Sequence, residues 1–483
     1  AQTDGQPLYL LETLKLLRDR QWLVPRLDAD GVFRLELAVE ITTVVAQERS
    51  QGALLPPSVR ALILARLASL SQAARQLVQG VAVLATAAHA RLLWQLAEIG
   101  VREGVEGLEE AVKSGILREE EAGGPGVGNL VTYRFSHDLM RDVVYTELGA
   151  ARRQILHQKA LVCLQTEGIA AAELAYHARA SGETEAAFGY SVQAGMEAVA
   201  VFAVADAIGY YEQARALLKG HPWIESRLAA SEVERLYVHL GQAYVFQNDW
   251  EQARDAYEEL LTYARQHQQP ALASMTLNRL AILVVQHSND KPRVQVLLEE
   301  ALQMAETSAD QKALAETEWN LAQIIGVVWD DPTRGLPHGE QVLSLARASN
   351  DRELEARSLY SQGWIHIRGG DFQQGIDCLE AALELYAAQD NEQSASRELS
   401  LSSFAIGAPL TQPLTNRASE AACRALLALA QVHAGQVQPG IRSGRRALTL
   451  SQESKNVWVQ IGSMRFLTYG LLDAGAYEEA LGL

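Results

Sequence analysis

His137 is the residue of this 483-residue chain whose neighbours best prepare it to meet a ligand. It lies in Tyr133-Arg-Phe-Ser-His-Asp-Leu-Met-Arg-Asp-Val-Val-Tyr-Thr-Glu-Leu148, where the hydrophobic period changes. Tyr133 and Phe135 alternate with polar neighbours, as in a short strand. Met140, Val143, Val144 and Leu148 then share one helix face, and Ser136 is of the type that caps a helix start. A side chain at such a junction can face a ligand, and an imidazole titrates near neutral pH. Arg141 follows one turn later on the same side. The structural alternatives are a cap or seam filler for His137, and for Arg141 a surface ion pair worth about 0–1 kcal/mol. A second set, Trp319, Trp329, Tyr360 and Trp364, falls on the first helices of a repeating pattern and could line a groove. Core packing is the alternative for each. His366 and Arg368 share their helix with Tyr360 and Trp364, and phase alone does not decide their direction.

The sequence shows no Ser/His/Asp or Cys/His arrangement and no HExxH, and its carboxylate pairs read as helix surface, so no enzyme is expected within these residues. Cys163, Cys378 and Cys423 are scattered without metal or disulfide spacing, which fits a reducing, cytoplasmic compartment. A net charge of −17 argues against broad nucleic-acid or anionic-membrane binding. No secretory signal is visible, and the most apolar stretch, Val81–Leu96, is broken by His89 and Arg91, so no membrane span is expected. The chain begins at Ala1 and ends at Leu483 inside an amphipathic helix, which suggests a piece of a longer polypeptide.

The elements that must position these residues fall into four segments. Residues 1–56 read as a helix from Gly5, two short strands at Gln21–Val24 and Val32–Leu35 around the turn Asp28–Gly31, and an apolar run Val39–Val45. Residues 57–148 begin after Leu55-Pro-Pro. They read as a helix carrying Leu62, Leu64, Leu67 and Leu70, a helix Gln72–Thr86 capped by Ser71, and a helix Leu92–Ile99. Another helix stops at Gly115, with extended pieces at Ile116–Arg118 and Tyr133–Phe135. Helices, then strand, loop and strand, is the plan of a winged helix, with Ala122–Asn129 as the wing tip.

Residues 149–230 hold irregular helix pairs, and from 231 to 483 a period of about 40 residues is clear. Ala253, Val294, Gly335, Gly375, Gly440 and Ala480 open successive second helices. Leu240-Gly, Leu280-Ala, Leu321-Ala, Gln362-Gly, Leu429-Ala and Tyr469-Gly mark the first helices. Small residues at the crossings let backbones approach, and no pair buries its apolar face without neighbours. Ser400–Thr415 interrupts the period and reads as a distorted repeat with an extended connection. The expected fold is therefore mainly α: a winged-helix-like domain followed by an α-α superhelix.

The repeats resemble tetratricopeptide repeats in a long form. The order Gly5-Gln-Pro-Leu-Tyr-Leu-Leu-Glu, Leu55-Pro-Pro-Ser-Val-Arg-Ala-Leu-Ile-Leu-Ala-Arg-Leu and Tyr133-Arg-Phe-Ser-His-Asp-Leu resembles the C-terminal part of bacterial STAND-type signalling ATPases and large LuxR- or SARP-like regulators. The resemblance implies that residues 1–56 end an ATPase lid, that a winged helix follows, and that the repeats sense a ligand. It also implies that His137, with Arg141 beside it, approaches the bound diphosphate. No Gly-x-x-x-x-Gly-Lys-Ser/Thr run occurs here, and Gly123-Gly-Pro-Gly-Val-Gly has no following Lys. The resemblance then places a nucleotide-binding domain in cis upstream of Ala1, with ATP or ADP bound by the full-length protein and no cofactor in this segment. The groove's partner would be a protein or a small molecule. The rival reading is a plain repeat scaffold with no nucleotide role; a third, DNA binding by the winged helix, is opposed by the acidic balance and by Glu119-Glu-Glu.

Overall fold

The computed structural model describes residues 23–27, 33–37, 57–122, 130–288, 290–389 and 416–483. The expectations for Gly5–Leu17, Asp28–Gly31, Val39–Val45, the 123–129 loop and Ser400–Thr415 lie outside these residues. Strands β1 (Leu23–Leu27) and β2 (Phe33–Leu37) form an antiparallel hairpin with Leu23 opposite Leu37, each starting one or two residues beyond the expected Gln21–Val24 and Val32–Leu35.

The chain divides into two compact units, Ala1–Val201 with Glu212–Leu228, and Phe202–Tyr211 with Ala229–Leu483. In the first unit, α1 (Pro57–Ala68) and α2 (Gln72–Leu84) are followed by β3 (Ala88–His89), α3 (Ala90–Ala97) and α4 (Val101–Lys113). Then come β4 (Leu117–Ala122), β5 (Leu130–Phe135) and α5 (Asp138–Glu147). The strands form one antiparallel sheet in the order β3-β5-β4, with Leu117 opposite Phe135. Ser71 caps α2 by accepting from the Ala74 N–H, as its type predicts. Gly115 takes φ +71 and stops α4.

Three expectations shift. On α1 the core residue is Ile63, whereas Leu62 is exposed, because the buried stripe runs Ile63, Leu67, Leu70 at i, i+4, i+7. The helix expected to reach Thr86 stops at Leu84, since Ala85 turns to φ +65 and releases Ala88–His89 to pair with β5. Ser136 does not cap α5: its N–H donates to Ile116 O at 2.9 Å, so the chain stays extended and His137 becomes the N-terminal boundary residue.

Helices α6 (Ala150–Gln165), α7 (Ala171–Ser181) and α8 (Thr184–Ala200) continue this unit. Their apolar residues join one cluster running from Ile63 through Phe135 and Met140 to Ala187. Helix α9 (Val204–Gly220) is divided between the two units, and the short α10 (Pro222–Glu225) belongs to the first.

The second unit is an array of helix pairs: α11 (Ala230–Phe246) with α12 (Trp250–Gln266), and α13 (Pro270–His287) with α14 (Lys291–Ser308). Next, α15 (Gln311–Leu321) continues as a π-helix (Ala322–Val328) and pairs with α16 (Pro332–Ser349). Then come α17 (Arg352–Arg368) with α18 (Phe372–Gln389), α19 (Asn416–His433) with α20 (Val437–Glu453), and α21 (Val457–Asp473) with α22 (Tyr477–Leu481). The small-residue period finds its reason here: Ala253, Val294, Gly335, Gly375, Gly440 and Ala480 are each the fourth residue of a second helix. A Cβ on Gly335 would stand 2.4 Å from Gly326 Cα, and one on Gly440 would stand 2.6 Å from a Val432 methyl. Turns within pairs repeat one device, a left-handed residue followed by a cap. Asn248 (φ +61) precedes Asp249, whose carboxylate accepts from Gln252 N–H, and Asp330 (φ +60) precedes Asp331, which caps at Arg334.

Candidate functional site

Two places hold the residues singled out by the sequence, one in each unit. In the first, His137 follows β5 directly, half-buried, and its carbonyl accepts from Met140 N–H at 3.0 Å. Arg141 lies one turn on. Its Nε stands 3.5 Å from the Ala82 carbonyl near the end of α2, and its guanidinium 4.0 Å from Asp142.

Behind this junction lies a polar network that periodicity does not reveal. His157 on α6 and His177 on α7 are both fully buried, with their Nδ1 atoms 2.9 Å apart. Tyr145 Oη stands 2.9 Å from His157 Nε2, and His177 Nε2 has no hydrogen-bond partner among the described residues. One Nδ1 must carry a proton and the other must not. Burial pushes both rings down to about 4, helped by the Arg153 charge at His157 and by the neighbouring ring at His177.

The second place is built by the first helices α13, α15 and α17. A helix that only packs buries apolar side chains; these three bury polar ones beside them. Ser274, Thr276, Asn278 and Arg279 on α13, Thr317, Glu318 and Asn320 on α15, Gln323 in the π-helix, and Ser358, Ser361 and Gln362 on α17 are all buried. Burying such groups costs free energy unless each finds a partner. Many do. Thr317 Oγ1 donates to Ala313 O at 2.9 Å, and therefore accepts from Asn278 Nδ2 at 2.8 Å and from Ser274 Oγ at 2.9 Å. Gln323 donates to Ser361 Oγ, Ser358 and Gln362 both donate to Gly339 O, and His338 pairs with Glu318 at 2.6 Å.

Trp319 sits in this polar tract, 8% exposed, with the Arg357 guanidinium 5.1 Å above its ring. Tyr360 and Trp364 meet edge to face at 6.2 Å, one and two turns beyond Arg357 on α17. Burial pushes the Tyr360 hydroxyl up and pulls the Arg357 guanidinium down from their usual values. Trp329 lies elsewhere: it ends the π-helix and meets Lys291 of a second helix, whose ammonium is 5.7 Å from its ring. Arg368 pairs with Asp330 at 2.9 Å, and His366 Nδ1 is 4.0 Å from Asp371.

The structure sets Trp319 against Arg357, packs Tyr360 and Trp364 against the apolar cluster of Leu359, Leu379 and Leu426, and packs Trp329 against that of Leu321, Ile324 and Ile325. Asn278, Thr317, Asn320 and Arg357 belong to the same first helices, and sequence reasoning missed these. A signal was present: Asn278, Trp319 and Tyr360 are spaced by 41 residues, as are Arg279, Asn320 and Ser361. A different surface, a groove of about 460 Å³, runs between the second helices α12 and α14 over α13, with Trp250 stacked on His287 at 5.5 Å. Its charges are largely matched, Arg254 with Asp255 and Arg265 with Glu300. No group of three or more metal-ligating side chains occurs among the described residues, and no described helix is long and apolar enough to cross a membrane.

Residues 234–267 and 356–389 match the family model of the tetratricopeptide repeat. The array is mainly α, with TPR-like helix pairs. No curated protein matches the chain. Among solved structures, the chain is similar to a Signal Transduction ATPase with Numerous Domains protein with a tetratricopeptide repeat sensor from Pyrococcus horikoshii. That match has 13% identity and a TM-score of 0.46, and covers 86% of this chain and 56% of that one. It thus spans little more than half the length of that protein. It is also similar to a Rap protein complexed with Competence and Sporulation Factor (13% identity, TM-score 0.38, 69% and 90% covered). The quorum sensor NprR from B. thuringiensis is a third (11% identity, TM-score 0.32, 68% and 94% covered).

Proposed function

We propose that this chain is the regulatory, partner-sensing part of a larger signalling protein, with the ligand held along the first helices α13, α15 and α17. The observation that carries the reading is the concentration of buried polar side chains on those three helices, with Trp319 among them, a pattern that packing alone disfavours. The 57–148 segment acts as a winged helix that couples nucleotide state upstream to the array. The order of α2, β3, α3, α4, β4 and β5, with His137 at the exit of β5, supports it. Domain limits of 1–56, 57–148, 149–230 and 231–483 follow from this reading.

Two experiments test it. Trp364→Ala should weaken, by about tenfold or more, the tightest peptide selected from a random display library against the whole chain; unchanged affinity counts against the lining. In the intact gene product, His137→Ala should release or exchange ADP faster than wild type. Absence of bound nucleotide in both would leave a repeat scaffold. That second reading is favoured by one observation, the groove between α12 and α14.

A further inference from the structure

The first-helix lining holds polar atoms that the fold leaves unpartnered, and their kinds are unequal. Arg279 Nε, Trp319 Nε1 and Asn320 Nδ2 are buried N–H donors with no hydrogen-bond partner among the described residues, and Asn278 Oδ1 is an acceptor without one there. The residues are at least nine-tenths buried: Arg279 is 9% exposed, Trp319 8%, Asn320 2% and Asn278 fully buried. Each such atom carries a desolvation cost that a ligand atom would remove. Of the nearby acceptors, Glu318 is engaged by His338, Thr317 by Asn278 and Ser274, and Ser361 by Gln323; Arg279 donates through Nη1 to Met275 O at 3.1 Å and stands 3.8 Å from Glu234, and Arg357 faces Glu353 and Glu316.

Repeat position relates these residues to one another. Asn320 occupies the position of Arg279 one repeat on. Arg235, Arg357 and Arg424 share another position, six residues before Gly241, Gly363 and Ala430, and the two repeats between Arg235 and Arg357 hold Met275 and Glu316 there. The segment after Asn320 is also irregular. The backbone runs as a π-helix from Ala322 to Val328, a form that recurs at functional sites.

We infer that the α15 segment and its neighbours on α13 and α17 read a carboxylate of an acidic peptide. Its oxygens take the Asn320, Trp319 and Arg279 donors, and an adjacent peptide N–H bonds Asn278 Oδ1. The Arg357 guanidinium, resting on the Trp319 ring, moves off the ring to admit the oxygens. This inference rests on the first-helix reading above and adds the chemistry of the ligand. A carboxylate from a small N-acyl amino acid would meet the same donors, so the test separates the two sources.

The first measurement needs no ligand. Asn320→Leu keeps the side-chain bulk and removes the orphan amide, so the thermal midpoint of the whole chain should rise by about 2–4 °C. The second uses two display libraries of the same design, one rich in Asp and Glu, the other with Asn and Gln in their place and amidated C-termini. Wild type should enrich the acidic library at least tenfold, and Trp319→Phe and Asn320→Asp should each lose at least tenfold in affinity for its best member. Displacement of that peptide by millimolar N-acetylglutamate assigns the specificity to the carboxylate alone; persistence assigns it to the peptide. An unchanged or lowered midpoint in Asn320→Leu, or equal enrichment of the two libraries, overturns the inference. Equal enrichment with affinity still lost in Trp364→Ala leaves the first-helix reading standing; affinity indifferent to Trp364→Ala removes both.

Discussion

Asn278 on α13 and Thr317 on α15 are joined across successive repeats by a 2.8 Å bond in which the amide donates and the hydroxyl accepts. The direction is fixed because the Thr317 hydroxyl spends its only proton on Ala313 O. Ser274 supplies a second donor to the same oxygen, so one hydroxyl ties its own fully buried side chain to two others. Thr317→Val keeps the shape and leaves two buried donors unpaired. It should cost about 2–3 kcal/mol, read as a lowered thermal midpoint by circular dichroism. A loss below about 0.5 kcal/mol would mean that water reaches these groups.

The crossing of the π-helix with α16 is set by two glycines. A Cβ on Gly335 would meet the Gly326 backbone, 2.4 Å from Cα and 2.7 Å from N, and backbone does not yield as a side chain does. Gly335→Ala should therefore destabilise by about 1–3 kcal/mol. Gly189→Ala, inside α8 with nothing within 4 Å of the added carbon, should instead be neutral or stabilise by about 0.5–1 kcal/mol. Equal effects of the two in parallel melts would remove the close approach as an explanation of the small-residue period.

The His157–His177 pair makes stability depend on acid. Both rings titrate in the folded chain at about 4, below the ordinary 6.5. Between those values the unfolded chain binds protons that the folded rings refuse, so stability should fall as pH drops from about 6.5 toward 4 and level off below. The effect is on the order of 3 kcal/mol for each ring. Urea melts across this range should show the slope, and His157→Leu/His177→Leu should flatten it. A wild-type slope unchanged by the double variant would place the acid sensitivity elsewhere.

Much of this architecture was legible. A period near 40 with a small residue at a fixed offset specifies stacked helix pairs, and the capping Ser71 and left-handed Gly115 behave as their types require. What was not legible follows from physics that local patterning does not carry. The two-residue strand β3 is too short for any period, and only its pairing with β5 holds it extended. His89 looks like an interruption of an apolar run. It instead caps α3 by accepting from Leu92 N–H through Nδ1 at 3.1 Å, while Nε2 meets Glu167. Aromatic residues draw the eye to Trp319, Tyr360 and Trp364, whereas Asn278, Thr317 and Asn320 look like ordinary helix-surface polar residues until the fold buries them.

The most direct test of where this chain meets its partner is hydrogen–deuterium exchange of the whole chain with and without the tightest library-selected peptide. The first-helix reading predicts slowed exchange along α13, α15 and α17, centred on residues 274–279, 316–323 and 357–364, with α12 and α14 unchanged. Protection confined to α12 and α14, around Trp250 and His287, would contradict it and move the binding surface to the groove between the second helices.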